Sequence, residues 1–261
     1  LRHINNVMLS RISPKPRSIG VITPLASKML CAFFPVTPLG EIRLFSNRVI
    51  ARLRAQEGAK APLLRRFGEK AEMERWNLII IDPGHGGQDP GCVYKGLKEK
   101  ILTLKIAQLI NLFGDCRYWL LRTDDSYLSL GQRIFAVNKL CELRDPFLIS
   151  LHINDADNPK ASGAEIFYCN LNPEHEKVIP LAEILLEIYT TQLKLINRGV
   201  KECKEARNFH FGILKEVKCP AILFELGFIK TDFYSKSTNL KERLSEIATI
   251  INTFIANYLE A

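Results

Sequence analysis

Three apolar runs in this chain share one plan: each is short for a helix, and each stops at a residue of catalytic type. Leu78-Ile-Ile-Ile81 runs into Asp82-Pro-Gly-His-Gly-Gly87, Phe147-Leu-Ile-Ser-Leu151 into His152, and Ala221-Ile-Leu-Phe224 into Glu225. Continuous runs of this length suit central strands buried on both faces. Trp119-Leu-Leu121 and Gly163-Ala-Glu-Ile-Phe-Tyr168 read as two more strands, and Pro220 is tolerated at the first position of the last one. Between the runs, Leu102 to Phe113, Leu130 to Leu143, Val178 to Leu195 and Leu240 to Tyr258 carry apolar residues at helical spacing. Strands alternating with helices predict an α/β fold, a three-layer sandwich with a central, mostly parallel sheet flanked by helices. In open sheets of this kind ligands bind at the carboxyl ends of the strands. His85, His152 and Glu225 all fall at such ends.

The chain divides by charge. Residues 1–75 hold 14 Lys/Arg against 5 Asp/Glu, a net of +9, while the whole 261-residue chain is +8. The remainder is therefore nearly neutral, and a global basic signature for nucleic acid is missing from it. We place the boundary near Arg75: residues 1–75 form a basic leader or linker, partly disordered or helical, and residues 76–261 the main domain. The stretch Ile19 to Leu39 is apolar but carries Lys28, Pro24 and Pro35, so it does not supply the ~20 apolar residues of a spanning helix, and a polytopic membrane protein is excluded. Its basic-then-apolar order follows that of an export leader, without a small-x-small cleavage site. From Glu41 to Ala55, Ile42, Phe45, Val49 and Leu53 alternate with Arg43, Arg48, Arg52 and Arg54, an amphipathic helix suited to an anionic membrane surface or to packing on the domain. The seven cysteines form no Cys-x-x-Cys pair, which reads against both a disulfide framework and a thiolate zinc site.

Taken one at a time, the candidate residues have ordinary readings. A Gly-rich turn can carry His85 with no function, and Glu99 is well placed as an acid favoured by a helix N-terminus. Together, His85, Glu99, His152 and Glu225 are a different matter. Two imidazoles and a carboxylate are a set that zinc uses in hydrolases, with a fourth position left for water and a further carboxylate free to act as base. No Ser or Cys nucleophile pattern competes.

The sequence at this point resembles the zinc-dependent N-acetylmuramoyl-L-alanine amidases, cell-wall hydrolases with the type 3 amidase domain. The likeness runs through Ile79-Ile-Ile-Asp-Pro-Gly-His-Gly-Gly87, Asp89-Pro-Gly91, Gly96-Leu-Lys-Glu-Lys100 and Leu121-Arg-Thr-Asp-Asp125, with Leu130, Arg133 and Asn138. It continues through Ser150-Leu-His-Ile-Asn154, Asn197-Arg-Gly-Val-Lys201 and Pro220-Ala-Ile-Leu-Phe-Glu-Leu-Gly-Phe228, covering residues 77–258. The resemblance implies one zinc ion per chain on His85, Glu99 and His152, Glu225 as the catalytic carboxylate, and Asn154 and Arg198 as substrate-binding residues. It implies cleavage of the amide between the lactyl group of N-acetylmuramic acid and L-alanine of the stem peptide, in wall remodelling, cell separation or fragment recycling. Two departures lie beside the site: Lys230-Thr231-Asp232 where Ser/Thr-Asn is usual, and Asp155 where a small residue is common. His175 and His210 match no ligand position and are assigned surface or core roles.

The expected partners are peptidoglycan or a muropeptide, with an anionic membrane surface for residues 1–75, no nucleic acid, and a monomeric chain. The expected location is the cell envelope, periplasmic or extracytoplasmic, with the imperfect leader leaving cytoplasmic and organellar alternatives open. A silent peptidoglycan-binding protein would not need the four polar positions intact. A penicillin-binding serine enzyme would need Ser-x-x-Lys, which the chain lacks. The 72 residues between His152 and Glu225 are taken up by a strand, a helix and their connections, leaving no room for a further long helix that could plug the site.

Overall fold

The computed structural model describes residues 76–114, 118–235 and 239–259. The expectations for residues 1–75 lie outside the described residues. Strands β1 (Leu78–Pro83), β4 (Tyr118–Leu120), β5 (Pro146–Asn154) and β8 (Ala221–Phe228) pair in parallel, in the spatial order β4-β1-β5-β8. The strand β6 (Ala164–Tyr168) joins β8 antiparallel and is followed by β7 (Asn197–Glu202), parallel to β6, to complete six strands. Every residue of β1 and β8 is buried, as the apolar runs require of strands covered on both faces. A two-stranded ribbon, β2 (Val93–Tyr94) and β3 (Leu97–Lys98), precedes the first helix.

Helix α1 (Glu99–Phe113) begins three residues before its apolar pattern does, and α2 (Leu130–Cys141) starts at a capping box in which Ser129 and Gln132 satisfy each other's backbone N–H. α3 (His175–Leu193) spans the predicted long helix, and the last helix, α6 (Leu240–Phe254), continues as one π-helical segment, Ile255–Leu259. α1, α3 and α6 pack together on one face of the sheet. On the other face, Val137 and Leu140 of α2 close a cluster with Leu78, Ile80, Leu148, Phe167 and Leu223, so the helix–sheet–helix layering predicted from the alternation is present.

The stretch from Asn197 to Val217 differs from the sequence reading. It holds the edge strand β7 and two five-residue helices, α4 (Cys203–Arg207) and α5 (Gly212–Glu216). β7 has the sequence Asn-Arg-Gly-Val-Lys-Glu and is mostly exposed or half-buried, so it lacks the apolar run by which the central strands announce themselves. No helix among the described residues is long and apolar enough to cross a membrane.

Candidate metal centre and active site

The turn after β1 is built to present His85. His85 itself sits at φ 62 and Gly86 at φ 133, and an isolated bridge pairs Gly86 with Asp89, so the chain reverses within four residues. Two buried guanidinium groups hold that turn by its carbonyls. Arg122 donates to Pro83 O (3.0 Å), Gly84 O (2.8 Å) and Lys100 O (2.8 Å), and Arg133 donates to Pro83 O (3.0 Å) and His85 O (2.6 Å) and pairs with Asp82. Lys100 Nζ reaches Gly87 O and Asp125 Oδ2, each at 2.6 Å. Carbonyls in an irregular buried turn need donors, and these three cations supply them. This accounts for Arg122, Asp125 and Arg133 in the sequence motif. Asn138 clamps the entry to β8 instead, donating to Glu216 O (3.0 Å) and accepting from Lys218 N (2.9 Å).

His152 stands in β5 and Glu225 in β8, opposite each other in the parallel register. Glu99 opens α1 beneath them. His85 Nε2 and His152 Nδ1 both lie 3.1 Å from one atom, Glu99 Oε1. That oxygen also accepts from Ile153 N (2.8 Å), while Oε2 accepts from Cys92 N (2.9 Å). The other nitrogen of His85, Nδ1, is 2.8 Å from Asp89 Oδ2, which directs Nε2 toward Glu99 and fixes the ring, as carboxylates do behind metal-bound imidazoles. One ligand atom from each of His85, Glu99 and His152 lies within 4.8 Å of the others. Two imidazoles and a buried carboxylate, converging from three rigid elements, fit a tetrahedral cation that keeps one position open. Asp89, in the motif but without an assigned role at the sequence level, is the supporting residue.

Charge is distributed unevenly over these four groups. Burial works against charge on His85, but the hydrogen bond and charge of Glu99, then of Asp89, outweigh it and raise the imidazole to about 9. Burial alone would raise Glu99, yet hydrogen bonds and charge from His152 and His85 hold it well below the carboxylate range. Glu225 goes the opposite way. Burial raises it, the charges of Glu99 and Glu165 add to this, His152 and Arg207 oppose it, and the net value is about 7. Its Oε2 is buried and has no hydrogen-bond partner. A buried oxygen left unpaired by the protein is costly and uncommon.

Asn154 and Arg198 converge on a residue that the sequence reading passed over. Glu165 accepts from Asn154 Nδ2 (2.6 Å) and Arg198 Nε (3.3 Å), and also from Lys201 Nζ (2.5 Å) and Arg207 (3.3 Å). It is buried and sits directly across the antiparallel pair from Glu225. The signal for it was an acid inside an otherwise apolar strand, Ala164-Glu-Ile-Phe-Tyr168. The two departures from the family pattern answer each other: Lys230 Nζ pairs with Asp155 Oδ1 at 2.9 Å and donates to Ala156 O at 2.8 Å. Asp232 accepts from Ser162 Oγ, Gly163 N and Phe228 N, which ties the end of β8 to the start of β6. His175 lies apart, with Nδ1 2.7 Å from Asn172 O and its ring stacked on Tyr168.

Two imidazoles and a carboxylate able to hold a metal, with a neighbouring buried carboxyl at the ends of parallel strands, make a site of hydrolase type. Comparison with known proteins supplies the family. The family model for N-acetylmuramoyl-L-alanine amidase (Amidase_3) matches residues 79–257, and the chain belongs to that family. It is 35% identical over 158 residues to the sporulation-specific N-acetylmuramoyl-L-alanine amidase of Bacillus subtilis (strain 168), covering 59% of this chain and 56% of the relative. It is 31% identical over 230 residues to a putative N-acetylmuramoyl-L-alanine amidase of Buchnera aphidicola subsp. Schizaphis graminum, covering 69% of this chain and 96% of that protein. The crystal structure of an N-acetylmuramoyl-L-alanine amidase from Clostridium difficile 630 aligns with a TM-score of 0.60 at 30% identity, over 71% of this chain and 97% of that one. The chain thus spans little more than half the length of the Bacillus relative.

Proposed function

We propose that this protein hydrolyses the amide between the lactyl group of N-acetylmuramic acid and the L-alanine of the peptidoglycan stem peptide, using zinc on His85, Glu99 and His152. The observation that carries the reading is the convergence of His85 Nε2 and His152 Nδ1 on Glu99 Oε1, both at 3.1 Å, in a chain of the amidase family. Held by those three residues, zinc would supply Lewis-acid polarisation of the scissile carbonyl and a water acidified toward neutral pH. Glu225 is the general base: its unpaired Oε2 takes the proton from the attacking water and returns it to the departing amine nitrogen of L-alanine. Burial, by raising this carboxyl above the usual carboxylate range, makes it a better base for that transfer. Asp89 keeps the proton of His85 on Nδ1, away from the ligand atom.

Asn154 and Arg198 bind the substrate in this reading, and Glu165 positions both. Peptidoglycan or a soluble muropeptide is the partner, wall remodelling, cell separation or recycling the setting, and the cell envelope the location. The domain boundary near Arg75 draws support from Trp76, which is buried against Phe147 with ring centroids 4.9 Å apart and whose backbone N–H donates to Leu259 O at 2.8 Å, closing the unit at both ends. Residues 1–75 act as leader or membrane-surface segment, and the domain works as a monomer. Removing metal with a chelator, then restoring zinc, tests the function: release of stem peptide from a purified muropeptide should stop and return. Undiminished release from a metal-free chain would overturn the reading.

A further inference from the structure

At the opposite end of β6 from Glu165, four side chains gather that the amidase reaction does not use. Cys169 follows β6, Glu202 ends β7, Cys203 opens α4, and His210 lies in the link between α4 and α5. Cys169 Sγ is 3.3 Å from His210 Nδ1, Cys203 Sγ is 3.6 Å from the same nitrogen, and Glu202 Oε1 is 3.5 Å from Cys203 Sγ and 3.6 Å from His210 Nδ1. All four candidate ligand atoms lie within 4.8 Å of one another. A tetrahedral zinc with Zn–S about 2.3 Å and Zn–N or Zn–O about 2.0 Å sets its ligand atoms roughly 3.3–3.8 Å apart. The four distances above, four of the six edges of such a tetrahedron, fall inside that interval.

Each residue taken alone has a bland role, since buried cysteines are common and Glu202 Oε2 caps α4 by accepting from Glu205 N at 2.9 Å. The combination exceeds those roles. Glu202 Oε1 takes two long bonds, from Asn170 N at 3.4 Å and from the Cys203 thiol at 3.5 Å, and no Lys or Arg pairs with this buried carboxylate among the described residues. Asn208, at φ 62, turns the chain after α4 so that His210 comes back over Cys203. Both sulfurs are buried and reduced.

We infer that Cys169, Cys203, His210 and Glu202 form a second metal site, closed and structural, for a borderline-soft divalent cation such as zinc. Each thiol yields its proton to solvent as its sulfur takes the cation, so the set supplies two thiolates, one neutral imidazole and one carboxylate. The site joins the ends of β6 and β7 to α4. α4 also carries Arg207, whose guanidinium lies over the Phe167 ring (5.1 Å) and bonds Glu165 (3.3 Å), the residue that holds Asn154 and Arg198. The second cation therefore braces the segment behind the substrate side of the active site, without touching the reacting groups.

Cobalt(II) added to the full chain under reducing conditions is the probe, because thiolate ligation alone gives strong sulfur-to-cobalt charge-transfer absorption in the near ultraviolet. None of the three residues of the His85, Glu99 and His152 centre is a cysteine, and a Cys92→Ser chain, which removes the thiol beside Glu99, should keep the band. The band should appear in the wild type, persist in His152→Ala, and vanish in Cys203→Ser and Cys169→Ser. In the His152→Ala protein, zinc should slow tryptic cleavage after Lys204 and Arg207 several-fold, a readout that needs no cysteine variant to fold. Absence of the band in the wild type, its survival in Cys203→Ser, or its loss in a folded His152→Ala would overturn the site. None of these results bears on whether the first centre works.

Discussion

Gly84 lies against the flat of the His152 ring, and its lack of a side chain is what gives the imidazole its place. A Cβ built there would stand 2.5 Å from Cε1, 2.7 Å from Nε2 and 2.8 Å from Nδ1. Contacts under 3.0 Å are not sustained, so the ring must retreat by about 0.5–1 Å to reach ordinary van der Waals separation. Metal sites tolerate displacements of about 0.2 Å. The ring cannot yield freely either, because Nδ1 is tied to Glu99 at 3.1 Å. Gly84 is not in the left-handed region, so alanine strains no backbone dihedral, and the perturbation is confined to the clash. Gly84→Ala should therefore weaken zinc at the first centre by at least ~10–100-fold, the usual cost of misplacing a ligand's support, which is about 1.4–2.7 kcal/mol. The assay is turnover against buffered free zinc, with circular dichroism to establish that the fold is retained. Gly131→Ala serves as control, since nothing lies within 4 Å of its Cβ position in α2, and it should leave the curve unmoved. Half-activation of folded Gly84→Ala at the wild-type zinc concentration would refute the placement of His152 as a ligand.

Glu225→Gln should keep the zinc activation curve and lose turnover by ~100-fold or more; loss of the metal as well would put Glu225 among the ligands. In the metal-free chain the same change should stabilise the fold, with a defined pH dependence: below about 4.5 both states of the wild type hold the proton and the variants differ little, between 4.5 and 7 the unfolded wild type releases a proton that the folded one retains, and above 7 the wild type carries the whole penalty, roughly 3 kcal/mol. Denaturant melts at pH 4 and pH 8 measure the difference, and an equal effect at both would discount the burial of Glu225. Because His85 is raised to about 9 by Glu99 and Asp89 against the pull of burial, zinc uptake at pH 7 should release protons and tighten as pH rises toward 9. Titration in weakly buffered solution reads this directly, and uptake without proton release would contradict it. Residues 76–261 should cleave a muropeptide as fast as the full chain; a several-fold faster truncated form would make residues 1–75 an inhibitory segment.

The sequence carried the centre of this molecule better than its edge, for a physical reason. Strands buried on both faces must be apolar throughout, so Leu78–Ile81, Phe147–Leu151 and Ala221–Phe224 were legible, and their ends located His85, His152 and Glu225. Glu99 at the head of a strongly periodic helix has an ordinary local reading, an acid favoured by the helix N-terminus, and the family resemblance is what singles it out; the helix starts at Glu99 itself. β7 offers one apolar side chain in its six residues, Val200, and its position depends on β6 beside it. Glu165 was hidden because its partners, Asn154, Arg198, Lys201 and Arg207, come from other elements. The cysteine cluster was likewise invisible. Without a Cys-x-x-Cys spacing, 33 residues lie between Cys169 and Cys203 in the chain, and only the pairing of β6 with β7 brings their ends together. Local pattern records burial, whereas convergence of polar groups is a property of topology.

The bond that is cut is the most direct test of the central claim. Zinc-loaded full chain, incubated with a purified muropeptide and followed by mass spectrometry, should yield two products: a glycan ending in an intact lactyl carboxylate, and a stem peptide with a free L-alanine amino group. Folded Glu225→Gln carrying zinc should yield neither at a comparable rate. Cleavage at a glycosidic bond or within the stem peptide, or no cleavage by a zinc-replete wild type, would contradict the assignment of this centre as an N-acetylmuramoyl-L-alanine amidase site.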